Sequence, residues 1–136
     1  MTRRYILDAN VIVRILTNDP PKEAEAAKSL LKRAMEGEIE LELTELCCAE
    51  IVWVMQSFYK SPRTEIIKHL QALASTPGIY LSHRKIFEDA LGRFAAHNVD
   101  IADAFHAALA FEKNLPVVSF DNDFDRFKDI TRMKPA

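Results

Sequence analysis

The chain has 136 residues, 49% of them apolar and 28% charged, a balance that fits one soluble globular domain and excludes a disordered chain. Lysine and arginine total 18 against 20 aspartates and glutamates, for a formal net charge of −2. A surface coated in basic charge is therefore excluded, and any nucleic-acid contact has to come from a local patch or from metal ions. Three glycines leave no glycine-rich phosphate loop.

Arg3 and Arg4 open the chain as an export signal would, but Asp8, Asn10 and Arg14 interrupt the apolar stretch behind them. No run reaches the ~18 apolar residues of a membrane span. The first β-prone run, 5–7, ends at Asp8 and leads into an expected helix over 10–16. A second helix spans 21–35 with Pro21 in its first turn, and a strand follows at 40–43. Thr44 is placed to cap a helix over 45–59, and Ser61 to cap one over 62–75 with Pro62 at its start. A strand at 79–81 precedes a helix over 83–97 behind Ser82, and Asp100 stands before a helix over 101–113. Asn114-Leu115-Pro116 stops that helix ahead of a strand at 117–120. A short helix near 123–127 and a strand at 130–133 complete the chain. With no repeat or linker, this alternation predicts an α/β fold: a single three-layer α/β/α domain over 1–136, around a mostly parallel central sheet. Sites in such folds gather at the carboxyl ends of the strands. Cys47 and Cys48 are adjacent and without other partners, so no disulfide and a reducing, cytoplasmic setting are expected.

Four acids interrupt apolar segments. Asp8 closes Tyr5-Ile6-Leu7 at the expected end of the first strand, where an N-cap is the alternative role. Glu50 is the single charge in LCCAEIVWVMQSFY. A helix that apolar is expected to be buried, and there a carboxylate needs a cation, a hydrogen-bond partner or a proton; the alternative is a solvated stripe or a salt bridge. Asp103 stands in the first turn of IADAFHAALAFEK, where an acid also complements the helix dipole. Asp121 ends Val117-Val118-Ser119-Phe120, with Asp123 and Asp125 close behind, and helix capping is again the plainer reading. An EF-hand loop is excluded, because its sixth and twelfth positions hold Arg126 and Arg132 in place of glycine and glutamate. Crossover helices begin at the edge where parallel strands end, so all four carboxylates are expected to converge there. At ~4 Å and an effective dielectric of ~20, each like-charged pair costs roughly 4 kcal/mol. Hard divalent cations, Mg2+ or Mn2+, or else protons offset that, and acid-held magnesium chiefly serves phosphoryl and phosphodiester transfer.

LDANVIVRIL, TELCCAEIVWVM, DIADAFHAALA and VVSFDNDF together resemble the blocks of PIN-domain nucleases, and most of all VapC-type toxins of toxin–antitoxin pairs. The resemblance runs over essentially the whole chain. It implies that Asp8, Glu50, Asp103 and Asp121 are the catalytic acids that hold Mg2+ or Mn2+, with Asp123 as a fifth candidate ligand. Ser119 and Asn10 match supporting polar residues, while Ala9 departs from the hydroxyl residue often found after the first acid. The implied activity is endoribonuclease cleavage of RNA by a metal-activated water, with Glu50 as ligand or base. The implied partners are a cognate antitoxin and a second copy in a homodimer, or a heteromeric complex with the antitoxin, with no membrane.

His69, His83, His97 and His106 lack the spacing of a zinc helix, and His106, one turn after Asp103, is expected either to be packed or to border the site without binding metal. Trp53, Phe58 and Tyr59 read as core or dimer surface, Cys47 and Cys48 as packing residues. Arg14, Lys60 and Arg63 follow elements that start at the acidic edge and are candidate phosphate contacts. Two further readings compete: a non-catalytic module that binds RNA or protein through an acidic docking groove, and a small-substrate phosphatase. The latter lacks the second acid that a D-x-D motif would place at Asn10.

Overall fold

A computed structural model describes residues 2–136. The chain forms two compact units, Met1–Ser82 and His83–Ala136.

The first unit is built on three parallel strands in the order β1-β2-β3: β1 (Arg3–Ile6), β2 (Ile39–Glu42) and β3 (Ile79–Tyr80). Register pairs Ile6 with Glu42 and Glu42 with Tyr80. The Leu7 amide donates to the Glu42 carbonyl at 3.0 Å, which carries the ladder to the doorstep of Asp8. Helices α1 (Ala9–Thr17), α2 (Pro21–Met35), α3 (Glu45–Ser57) and α4 (Arg63–Ala74) connect the strands. Their starts follow local chemistry. The Asp8 carboxylate accepts from the Asn10 amide at 3.4 Å, and Thr44 Oγ1 accepts from the Cys47 amide at 3.1 Å, each satisfying a donor that the helix itself leaves unpaired. Gly78 is required where the chain turns into β3. Its φ is +88°, and a Cβ there would run into the backbone of Ala34 at the end of α2.

Two expected caps shift by one residue. Pro62, extended at φ −62° and ψ 146°, occupies the cap position of α4, while the Ser61 amide donates back to Met55 at 2.9 Å and closes the preceding segment. His83 rather than Ser82 caps α5.

Helix α3 corrects a larger expectation. Cys47, Cys48, Ile51, Val52 and Met55 form its buried face, with Ile51 and Val52 fully enclosed. The opposite side is apolar yet exposed: Leu46 is 70% and Trp53 60% accessible, and Phe58 and Tyr59 beyond the helix are exposed as well. The Trp53 and Phe58 rings meet edge to face at 5.7 Å. These aromatics are therefore not core, and Glu50 lies in the open rather than in an apolar interior.

The second unit pairs α5 (Arg84–Ala96) with α6 (Ile101–Lys113). Alanines 104, 107 and 108 are fully buried and let the two helices approach closely, and Phe87 of α5 meets Phe105 of α6 at 6.3 Å between ring centroids; a buried side chain of this size contributes roughly 1.5–3 kcal/mol. Asn114 ends α6 in the left-handed conformation, φ 55°, the role expected of an asparagine at a helix stop. Then follow β4 (Val117–Val118), a 3-10 helix (Asn122–Arg126) and β5 (Arg132–Met133), with β4 and β5 paired in parallel. Every strand pairing described is thus parallel, although the strands divide into a three-stranded and a two-stranded sheet.

Candidate metal centre

In the first unit Asp8 stands just past the carboxyl end of β1, exposed, as the cap of α1. Capping and an open carboxylate coexist, because the N-cap bond engages only Oδ2. Asn10 supplies the donated amide and is itself exposed. Glu50 projects from the exposed side of α3. Both acids bear on one buried thiol: burial, then Asp8, then Glu50 push Cys47 up to about 12. Burial, followed by Cys47 and Glu45, pushes Cys48 up further. Neither thiol supplies thiolate at neutral pH. A maleimide reagent is accordingly expected to leave the native protein unlabelled over the time in which the urea-unfolded chain takes up label at both cysteines. Mass spectrometry reads the difference, and native labelling as fast as unfolded would contradict the burial.

In the second unit three carboxylates meet. Asp103, Asp121 and Asp123 each offer one oxygen, and these lie within 4.8 Å of one another. Asp103 comes from the first turn of α6, where the chain leaves Asp100. Asp121 caps the 3-10 helix, its Oδ1 accepting from the Asp123 amide at 2.9 Å, while its own amide donates to Ser119 Oγ at 2.9 Å. The sequence DNDF folds this way because an aspartate before a turn bonds the amide two residues on. Ser119 thus presents the hydroxyl that holds the backbone of Asp121.

Partial burial raises the Asp103 pKa above its ordinary value, and the charges of Asp121, Asp100 and Asp123 add to that rise, against His106. The neighbouring carboxylates therefore act on Asp103 as net negative charge. Asp123 has an ion-pair partner in Arg126, at 3.6 Å. An all-oxygen donor set under such repulsion fits a hard divalent ion such as Mg2+ or Mn2+. His106 is exposed and borders the cluster through its charge.

Asp125 belongs to the same D-x-D-x-D run but leaves the cluster, because Arg132 grips it with two bonds, Nε–Oδ1 at 2.9 Å and Nη2–Oδ2 at 3.0 Å. The third arm of Arg132, Nη1, donates to the Ser119 carbonyl at 3.1 Å. No local sequence pattern signals this contact. Arg14, one of the candidate phosphate contacts, is paired with Glu23 at 3.2 Å.

The PIN domain family model matches residues 5–130. The chain belongs to the PIN domain family. PIN domains are generally nucleases and typically use divalent metals, and the parallel α/β arrangement of the strands and helices is the fold of this family. No curated protein matches the chain. Among solved structures, the PIN domain is similar to the crystal structure of VapBC2 from Rickettsia felis bound to a DNA fragment from their promoter, at 16% identity and a TM-score of 0.36, covering 98% of this chain and 99% of that chain. No helix among the described residues is long and apolar enough to cross a membrane.

Proposed function

We propose that this PIN domain is a Mg2+- or Mn2+-dependent endoribonuclease, the toxin of a VapC-type toxin–antitoxin pair, working as a single nuclease domain over 1–136 in the cytoplasm. The supporting observation is the Asp103–Asp121–Asp123 cluster with its raised Asp103 pKa. Asp8 and Glu50 are the proposed further acids. The toxin assignment rests on the four sequence blocks, which also support a cognate antitoxin and a homodimer as partners.

When bound, the divalent cation supplies positive charge to the phosphodiester and activates water. The chain's own residues do the positioning. Ser119 and the Asp123 amide hold one face of Asp121, which leaves its second oxygen for a ligand. Asp103 brings a carboxylate from a different element, so two backbones fix the ligand geometry. Asp8 is held by the Asn10 amide, and exposed Glu50 is open to act as ligand or as base toward water. Two divalent ions would move the formal charge from −2 to about +2, counting four added charges. Local cation charge then replaces the basic surface that the composition lacks.

The test is a metal titration of thermal stability beside an RNA cleavage assay. Ions that bind only the folded state raise stability, by about 2.7 kcal/mol at a hundredfold excess over Kd. The melting temperature is expected to climb by several degrees at millimolar Mn2+, and purified protein to cleave single-stranded RNA with Mn2+ but not with EDTA. A flat titration with RNA binding retained would favour the non-catalytic docking module.

A further inference from the structure

We infer that Arg132 is the positioning residue for the acidic turn, stapling the two ends of segment 119–125 so that Asp121 and Asp123 face the metal ligand field. This inference rests on the metal-centre reading proposed for the same site. Arg132 begins β5 opposite Val117 of β4, and its side chain is only 18% accessible. One arm of the guanidinium holds the Ser119 carbonyl where β4 ends, and the other two hold Asp125 inside the 3-10 helix. Between those anchor points lie the bonds that shape the turn, from the Asp121 amide to Ser119 Oγ and from the Asp123 amide to Asp121 Oδ1. Both are single bonds from neutral amide donors on an exposed segment: the first is neutral on both sides and weak, and the second gains strength from its carboxylate acceptor but spans only two residues. The arginine fork is bidentate and charge-assisted, which makes it both stronger and more directional.

Lysine in place of Arg132 keeps the positive charge but presents one ammonium, which cannot span a carboxylate and a carbonyl in fixed directions. Arg132→Lys therefore separates geometry from charge. Amide hydrogen exchange by NMR on the metal-free protein reads the turn directly. Exchange at Asp121 and Asp123 is expected to quicken at least several-fold in Arg132→Lys and in Asp125→Ala, with protection in α5 and α6 retained. A Mn2+ titration followed by melting temperature then reads the consequence, a midpoint shifted upward by about 10-fold, as for loss of a residue that orients metal ligands. The melting temperature in EDTA is expected to change little, an outcome that a merely structural role does not produce together with a shifted midpoint. Unchanged protection at Asp121 and Asp123, or an unchanged midpoint, overturns the inference. A turn that opens in a protein whose wild-type form shows no Mn2+ dependence instead overturns the metal-centre reading and leaves the staple standing. Should Arg132→Lys fail to fold, Asp125→Asn, which keeps an acceptor but loses the charge, is expected to give the same changes in smaller measure.

Discussion

Asp103→Asn is expected to lower metal-dependent RNA cleavage by on the order of 10³-fold, the scale of losing one group that stabilises the transition state, while raising the melting temperature of the metal-free protein. The two effects share one cause. Oxygens of Asp103, Asp121 and Asp123 lie within 4.8 Å of each other. At ~5 Å and an effective dielectric of ~20, a like-charged pair costs about 3 kcal/mol. Solvent around exposed Asp121 reduces this to roughly 1 kcal/mol, or about 3–5 °C in a chain of this length. Asparagine removes the charge, keeps the shape and relieves that repulsion. It also removes a ligand, so the Mn2+-induced rise in melting temperature shrinks. A mutant that still cleaves RNA at the wild-type rate would remove Asp103 from the site.

The pH dependence has a definite sign. Burial, assisted by neighbouring carboxylates, raises Asp103 in the folded state above its ordinary value of 3.8. The stability gained from its proton is fully present below 3.8 and is lost as pH rises through the raised value. Asp125 and Asp129 run the other way. Their bonds to Arg132 and Arg93 lower them from 3.8, so their contributions are present above that value and lost as pH falls through the lowered ones. Metal-free wild-type protein should therefore gain stability on mild acidification before losing it in stronger acid. Asp103→Asn is expected to flatten the first limb and spare the second.

What the sequence reveals is what local chemistry decides. Thr44, Asp8 and Asp121 cap their helices because a side-chain oxygen two or three residues ahead of a free amide bonds it wherever the chain goes. Asn114 stops α6 for an equally local reason. Asp103 and Asp121 are legible as candidate site residues because each breaks an apolar element, and the fold brings their carboxylates together. Glu50 shows where that logic fails. An apolar run at helical period says which residues share a face, but not whether the second face meets protein or water. In α3 the second face carries Leu46 and Trp53 in the open, so Glu50 is solvated instead of trapped. The arginine contacts fail for a different reason. Arg93 and Asp129 are 36 residues apart, and nothing in the spacing of charges selects that pair. Even Arg132 and Asp125, seven residues apart, become partners only because β5 returns beside β4.

Arg93→Met is expected to destabilise the protein by about 3 kcal/mol, within the ~2–4 kcal/mol typical when a well-bonded, desolvated charge is truncated. Arg93 is 8% accessible, the one charged side chain buried among the described residues. Its guanidinium bonds Asp129 at 2.8 and 2.7 Å and Asp89 at 2.9 Å, and it lies 5.2 Å from the Phe127 ring centroid and 5.6 Å from that of Phe111. An exposed ion pair would contribute no more than about 1 kcal/mol. Here the low accessibility strengthens each bond, and the stem covers apolar surface that methionine only partly replaces. The two aspartates stay in partial contact with water once the arginine is gone, with side chains 30% and 47% accessible, which keeps the loss below that of a stranded buried charge. Arg93→Lys should lose about half as much, because charge and stem remain while the fork to Asp129 does not. Urea unfolding monitored by circular dichroism gives these values, and a loss below about 0.5 kcal/mol for Arg93→Met would mean the cluster behaves as surface. Asp129 lies between the 3-10 helix and β5 and is tied to α5, whereas Asp125 is tied to the turn itself. Arg93→Met should consequently lower the EDTA melting temperature and leave the Mn2+ midpoint nearly in place, the reverse of the pattern expected for Arg132→Lys.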